Sequence, residues 1–182
     1  MKPSELPVQI IKQMSQSYQE PENELIGDLI RVSIPEQKAF LFRGLTLLEE
    51  WSVSTSKFGL GTEEGSFKTP LGRFEICQKI GDGEPEGTIF KGRLPVGLWC
   101  PGESVETDMV LTRILWLEGA EVQNANTRAR FIYFHVTNEE SLIGTPASHG
   151  CVRMRNADVI ALFRRVEEGC PVEIVDSRLR GH

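Results

Sequence analysis

The amino-acid sequence predicts a mainly β fold with some helix, arranged as a β-sandwich or a partly closed barrel of about seven strands. Apolar and polar residues alternate with a period of two over seven segments, turn residues such as Pro35 and Gly44 separate these segments, and only one strong helical pattern lies among them. A chain of 182 residues with 40% hydrophobic content is long enough for one well-buried core and too short for two ordinary domains.

The N-terminal residues differ in pattern from the rest of the chain. Apolar residues from Leu6 to Tyr18 recur at helical spacing and predict an N-terminal helix. The polar stretch QEPENE that follows is typical of a linker. We therefore divide the chain into an N-terminal helix and linker at 1–24, a main domain at 25–177 and a C-terminal tail at 178–182.

The predicted strands begin with a β-meander after the linker. Its three strands alternate apolar with polar residues, and four more such segments follow at wider spacing. The seven segments are DLIRVSI, KAFLFRG, TLLEEWSVST, GRFEICQKI, TRILWLEG, RFIYFHV and CPVEIVD.

The one strong helix is predicted over residues 157–168. Asn156 precedes it as an N-cap and Gly169 closes it, so we expect this helix to pack across the sheet through its apolar face. Residues 81–107 are rich in glycine and proline. Loops of this length inside a compact domain commonly carry function, so we expect this one to lie beside the functional site.

Composition excludes two classes of partner. The formal net charge of −6 is spread along the chain without a basic stripe, which excludes nucleic acid. No segment approaches the ~20 consecutive apolar residues of a membrane span, which excludes the membrane.

The N-terminus lacks the apolar core of roughly seven to fifteen residues that a secretory signal requires, so we expect a cytoplasmic protein, or a periplasmic one if the N-terminus has been trimmed. The four cysteines form no CxxC pair, which fits a reducing compartment.

The stretch SHGCVRM, residues 148–154, lies between the last predicted strand of the central region and the helix. A cysteine such as Cys151 attacks as a thiolate, which requires a base within reach or an electropositive setting such as a helix N-terminus. His135, at the end of a strand, is the candidate base, and His149 is a second nearby imidazole. Gly150 lets the backbone turn sharply and direct main-chain N–H groups towards an oxyanion.

These residues resemble a known family. SHGCVRM, preceded by His135 and by TNEESLIGTPA, closely resembles the signature of L,D-transpeptidases of the YkuD type, in which a histidine precedes a Ser/Thr-His-Gly-Cys block by a dozen or so residues. The segment VSTSKFGLGTEEGSFKTPLGRFEI is similar to the family's strand, glycine-containing loop and Thr-Pro-x-Gly-x-Phe segment. The resemblance covers roughly residues 28–176 and leaves the N-terminal helix unexplained.

The resemblance implies a cysteine-dependent acyl transfer on peptidoglycan stem peptides. Cys151 would attack the bond between the third stem residue and the terminal D-alanine and form a thioester. His135 would be the general base, His149 a second imidazole of the pocket, and the main-chain N–H groups of Gly150 and Cys151 the oxyanion hole. Carbapenem-type inhibitors, which acylate the nucleophile in similar enzymes, are expected to react with it. We expect neither a cofactor nor a metal ion.

Four further residues are candidates for substrate binding. Arg153 matches a position that is arginine in many relatives and would neutralise a substrate carboxylate. Ser148 either hydrogen-bonds in the site or supports the turn. Thr69 either borders the groove or is a solvated turn residue. Tyr133 is expected to lie in the core or to form part of the groove wall.

The acceptor of the acyl group follows from the expected location. A cytoplasmic enzyme meets soluble muropeptides and water, so we expect L,D-carboxypeptidase activity in murein recycling. In the periplasm the expected reaction is the cross-linking of neighbouring stems.

Three other readings of the same residues stay open. A cysteine beside a histidine is often only a buried packing residue, and His135, His149 and Cys151 together could instead be three zinc ligands. The third reading is a module that binds peptidoglycan fragments without turnover. Val136 favours this module, because relatives commonly have glycine after the first histidine and the larger side chain could narrow the pocket.

Overall fold

The computed structural model describes residues 27–103 and 107–179. The predicted N-terminal helix lies outside the described residues. Within them the mainly β class is confirmed, and all seven predicted strands are present together with three short ones. The elements are β1 Asp28–Ser33, β2 Lys38–Arg43, β3 Thr46–Ser52, β4 Gly72–Ile80, β5 Thr88–Lys91, β6 Leu94–Leu98, β7 Val110–Gly119, β8 Tyr133–Val136, β9 Val152–Met154, α1 Asn156–Arg165 and β10 Pro171–Val175, with 3-10 turns at Val122–Asn124 and Glu140–Leu142.

The ten strands form one open mixed sheet, where we had predicted a sandwich or a partly closed barrel of about seven strands. The main path runs β3-β2-β1-β10-β4-β7-β5-β6, and β8 branches from β7 to pair with β9. The β1–β10 and β8–β9 pairs are parallel, and the other pairs are antiparallel. Parallel pairing joins segments that are distant in sequence, so local alternation predicts the strands but not this arrangement.

The main hydrophobic core lies between the sheet and α1. The inward positions of the alternating strands supply it, as the period-two pattern predicts. Val159, Leu162 and Phe163 of α1 complete it. A second and smaller cluster lies around β7 and β8, and consists of Phe90, Ile114, Trp116 and Tyr133.

Helix α1 has 10 residues, two fewer than the helix that we predicted over residues 157–168. It begins at Asn156, which we had predicted as the N-cap. Arg155 holds the N-cap position, with no capping side chain of its own. The carboxylate of Glu140 instead accepts the Asn156 main-chain N–H at 2.7 Å, which replaces the cap expected from Asn156. No helix among the described residues is long and apolar enough to cross a membrane.

The glycine- and proline-rich region 81–107 contains a hairpin rather than a continuous loop. Strands β5 and β6 pair antiparallel, and Gly92 and Arg93 connect them with φ angles of 55° and 68°. Two consecutive positive φ angles are typical of a type I′ turn, whose twist matches that of a hairpin. The hairpin continues the sheet beyond β7, next to the second cluster.

Candidate active site

The pairing of β8 with β9 brings the predicted nucleophile and base together. His135 lies opposite Arg153 in this parallel pair, and Cys151 immediately precedes β9. Side chains alternate along a strand, and Phe134 and Val152 face the main core. His135 and Cys151 therefore project from the opposite face of the sheet, diagonally across the two strands.

A groove of about 450 Å³ opens at this position. Cys151, His135 and His149 all line it, so the structure places the three predicted groups in one cavity. Thr107, Asp108 and Val110 complete its wall. Two further cavities adjoin the groove. One, of about 400 Å³, shares Val110 with the groove, and the other, of about 270 Å³, shares His149 with it.

One hydrogen bond determines which nitrogen of His135 is free. Nδ1 lies 2.7 Å from the main-chain carbonyl oxygen of Val136, and a carbonyl oxygen can only accept. Nδ1 therefore carries the proton, and in the neutral ring Nε2 keeps its lone pair. Burial lowers the pKa of His135 below its ordinary value, although the charge of Asp108 opposes this shift. The imidazole is thus neutral at neutral pH and able to accept a proton.

The surroundings of Cys151 favour the neutral thiol over the thiolate. Burial raises the pKa of the thiol to about 12, despite the opposing effect of the Tyr133 main-chain N–H. Sγ lies 3.3 Å from the carbonyl oxygen of Phe131, which accepts the S–H. We had considered a thiolate stabilised by the following helix N-terminus. The half-buried thiol, with its raised pKa, instead requires a base to remove the proton during attack.

Gly150 has the backbone conformation that the turn before Cys151 requires. Its φ of 117° is rarely adopted by L side chains, and an added Cβ would lie 3.1 Å from Ile132 Cδ1 and 3.3 Å from the Lys68 carbonyl oxygen. Its N–H, which we predicted to line the oxyanion hole, instead donates to Ser148 Oγ at 3.2 Å. In this state Gly150 shapes the loop and does not present its N–H to the groove.

Comparison with known proteins decides the family. The model of the L,D-transpeptidase catalytic domain, YkuD, matches residues 27–174, most of the chain. The chain belongs to this family.

Individual relatives agree with the family model over shorter stretches or in fold alone. "Probable L,D-transpeptidase YbiS" of Escherichia coli K12 is 41% identical over 51 residues, which are 28% of this chain and 17% of that protein. An L,D-transpeptidase from Mycobacterium smegmatis has a similar fold, with a TM-score of 0.54 at 16% identity over 81% of this chain and 58% of its own. The L,D-transpeptidase LdtMt1 in complex with imipenem gives a TM-score of 0.52 at 19% identity, over 82% and 59% of the two chains. This chain thus spans less than two thirds of these relatives.

Arg153 of this L,D-transpeptidase domain lies away from the groove surface. Its side chain is fully buried, and its guanidinium pairs with Asp108 at 3.0 Å and Glu139 at 2.8 Å. A buried guanidinium that already has two carboxylate partners is not available to a third. The predicted contact with a substrate carboxylate is therefore replaced by an internal ion pair that connects β9 to the groove wall.

Ser148 and Thr69 support the nucleophile loop and are both fully buried. Ser148 Oγ donates to the carbonyl oxygen of Cys151 at 2.6 Å, and Thr69 Oγ1 donates to that of Gly150 at 3.0 Å. Of the alternatives open for Ser148, the structure favours support of the turn. Thr69 is neither at the groove surface nor solvated, because it braces the loop from the protein side.

The remaining predicted residues lie on the walls of the cavities. His149 is exposed and contacts the rings of Phe58 and Phe67, at centroid distances of 5.5 and 5.7 Å. Tyr133 is 6% exposed, and its hydroxyl accepts a hydrogen bond from Arg93 at 3.3 Å. Val136, which we considered able to narrow the pocket, packs in the main core and does not enter the groove.

Sequence reasoning missed Asp108 and Arg93. Asp108 lines the groove, forms a salt bridge with Arg153 and accepts a hydrogen bond from Thr137. Arg93 lines the adjoining cavity. Both lie in or beside the region 81–107, which we expected near the site, but no motif marks them. Among residues 27–103 and 107–179, no group of three or more metal-binding side chains lies close enough to hold a metal ion, so the zinc reading gains no support.

Proposed function

We propose that this domain is a cysteine-dependent acyltransferase that cleaves the bond between the third residue and the terminal D-alanine of peptidoglycan stem peptides, with water as the acceptor. The net reaction is that of an L,D-carboxypeptidase. Membership of the L,D-transpeptidase family supports the class of reaction. The observation that carries the proposal is that the free Nε2 of a neutral His135 shares one groove with the Cys151 thiol.

The first half of the reaction forms the acyl-enzyme. His135 Nε2 takes the proton from Cys151 Sγ as the sulfur attacks the carbonyl carbon, and the carbonyl oxygen becomes an oxyanion. Because the Gly150 N–H is engaged by Ser148, the main-chain N–H of Cys151 is the member of the predicted pair to which we assign the oxyanion. The imidazolium then returns its proton to the departing amine of D-alanine, which leaves a thioester.

The second half regenerates the thiol. His135 removes a proton from water, the resulting hydroxide attacks the thioester carbonyl, and the sulfur leaves and recovers a proton from the imidazolium. The products are D-alanine, released in the first half, and a tripeptide with a free carboxylate. Each half passes one proton through Nε2, which is why the orientation fixed at Nδ1 matters to both.

Cross-linking is the second candidate, and the adjoining cavities favour it. Two further cavities adjoin the groove that Cys151 lines, one sharing Val110 with it and the other His149, which gives space for a donor stem and an acceptor amine at once. The two reactions imply different places in the cell. Hydrolysis of soluble muropeptides fits the cytoplasm, whereas cross-linking needs the sacculus, so fractionation of cells that produce the native protein bears on the choice.

Product analysis with a free tetrapeptide tests the proposal. We expect D-alanine and tripeptide to form faster than any cross-linked dimer, and mainly dimer would support the second candidate. Cys151→Ala is expected to lower the rate by at least about 10⁴-fold, because the remaining groups cannot form a thioester. Cys100→Ala, which removes an exposed thiol that lines none of the three cavities, is the matched control.

Imipenem separates an active thiol from a binding module without turnover. A β-lactam carbonyl acylates a competent nucleophile and ring opening retains all of its atoms, so the mass of the protein increases by that of the inhibitor. We expect this adduct on Cys151 in the unmodified protein and in Cys100→Ala. Folded protein that forms no adduct and releases no D-alanine would contradict the proposed function.

A further inference from the structure

We propose that Arg93 recognises a carboxylate at the end of the third stem residue's side chain, and so directs this domain towards a diamino dicarboxylic acid such as diaminopimelate over lysine. This inference rests on the proposed function for its substrate class. Arg93 lies at the tip of the β5–β6 hairpin and lines the cavity of about 400 Å³ beside the groove. Phe90, Val110, Ile114, Phe131 and Tyr133 form the mainly apolar remainder of that cavity, together with Gly92.

The guanidinium of Arg93 is held in place by rings. Its Cζ lies 4.5 Å from the ring centroid of Trp116 and 5.0 Å from that of Phe131. Nη1 donates to the Tyr133 hydroxyl at 3.3 Å. The centroids of the Trp116 and Phe131 rings are only 6.0 Å apart, so both rings contact the guanidinium from one side and leave N–H groups open to a planar acceptor such as a carboxylate.

The arginines around the site differ in what they already bind. Arg153 is buried between Asp108 and Glu139. Arg130, on the third cavity, donates to the carbonyl oxygens of Gly61 and Lys68. No carboxylate among the described residues pairs with Arg93. Arg153 Nε also lacks a partner, but that side chain is fully buried. Arg93 combines free hydrogen-bonding capacity with a position on a cavity wall, where an anionic ligand can reach it.

The cavity lies within reach of the reacting bond. Cys151 Sγ is 3.3 Å from the carbonyl oxygen of Phe131, and the ring of the same residue contacts the Arg93 guanidinium. Cys151 itself packs against the cluster that contains Tyr133. The carbonyl that Cys151 attacks belongs to the third stem residue, so the side chain of that residue is the part of the donor nearest to this cavity.

The backbone conformation of Arg93 also indicates that its side chain has a role. Its φ of 68° is costly for a residue with a side chain, and glycine or asparagine is the ordinary choice in such a turn. A strained residue persists where its side chain contributes something that glycine cannot. Here that contribution is a charged group at the rim of an apolar cavity.

Binding measurements on a Cys151→Ala background test the inference independently of turnover. The probes are two tetrapeptides, L-Ala-γ-D-Glu-X-D-Ala, with meso-diaminopimelate or L-lysine as X. We expect calorimetry to give about tenfold tighter binding of the diaminopimelate peptide, because a charge-assisted hydrogen bond is lost with lysine. Arg93→Gln is expected to abolish that preference by weakening only the diaminopimelate peptide.

Arg128→Gln is the matched control. Arg128 also lies over the Trp116 ring, at 5.2 Å, but it pairs with Glu118 and does not line the cavity. We expect this variant to keep the preference, with thermal unfolding confirming that both variants fold. A preference that survives in Arg93→Gln, an equal loss for both peptides, no preference in the background protein or binding of neither peptide would overturn the inference. Preserved selective binding without release of D-alanine by the unmodified protein would instead contradict the proposed function alone.

Discussion

The two faces of the β8–β9 pair have different roles, because alternate residues of these strands face the main core and the groove. Phe134, Val136, Val152 and Met154 point into the main core, whereas Tyr133, His135 and Cys151 lie on the side of the groove. One face contributes free energy of folding by burial, and the other has its reactive groups positioned by that burial. The comparison teaches that a pair of strands only three and four residues long can position a nucleophile and a base, because the opposite face anchors both strands.

The largest expected effect comes from the reactive face. His135→Gln removes the base while retaining a polar side chain of similar size, and we expect the rate of D-alanine release to fall by about 10²–10⁴-fold. The free energy of unfolding at neutral pH should change much less than this loss of rate implies. A variant that retains more than a tenth of the activity would remove His135 from the mechanism.

Substitution on the core face should produce the opposite result. Met154 is fully buried, so Met154→Ala is expected to reduce the free energy of unfolding by about 2–5 kcal/mol through lost burial and a residual cavity. Activity per folded molecule should stay close to that of the unmodified protein. Denaturant unfolding and titration of active thiols with imipenem measure the two quantities, and a loss of activity that exceeds the loss of folded protein would break the comparison.

An intermediate effect is expected at the turn that joins the two faces. Gly150→Ala places a Cβ at a positive φ and against Ile132 and Lys68, so we expect a loss of about 1–2 kcal/mol in stability. Displacement of Cys151 should also reduce the rate, by up to about 10²-fold. Gly144→Ala has a similar backbone penalty, with φ at 102° and no neighbour within 4 Å of the added Cβ. Equal effects of the two variants on the rate would show that the crowding is irrelevant to catalysis.

The smallest expected effect is on stability as a function of pH. Because burial lowers the pKa of His135 in the folded state, the unfolded chain binds more protons between that pKa and the ordinary value of 6.5. Stability should therefore fall as the pH drops below about 6.5. Thermal unfolding of His135→Gln should show a shallower decrease over that range, since carboxylates contribute equally in both proteins. Identical slopes would mean that His135 titrates normally.

Local alternation predicted much of the fold. All seven strands read from period-two patterns are present, and so is the helix before β10. The three strands that were missed are short or irregular. VRM in β9 shows too few residues for a period, and β5 and β6 lie in a glycine- and proline-rich stretch whose turn depends on φ angles at Gly92 and Arg93.

The site could be predicted where a motif specifies residue types. It could not be predicted where it depends on the orientation of a main-chain group or the burial of a side chain. Spacing identified Cys151, His135 and His149, which share the groove. The Gly150 N–H is directed by the rotamer of its neighbour Ser148, which a motif does not specify. The burial of Arg153 depends on partners far along the chain, such as Asp108. Such partners leave no periodic trace in a single sequence, so an arginine next to the signature was interpreted as a substrate ligand.

The carbonyl oxygen of residue 136 that orients the imidazole has a consequence for how this chain can vary. A peptide oxygen is present whatever amino acid the codon specifies, so no single substitution there deletes the acceptor. The hydrogen bond that orients His135 is therefore not lost when residue 136 is substituted. The side chain of residue 136 is left open to selection for packing in the core. Inhibitor resistance that acts by misorienting the base would therefore have to arise through displacement of the strand.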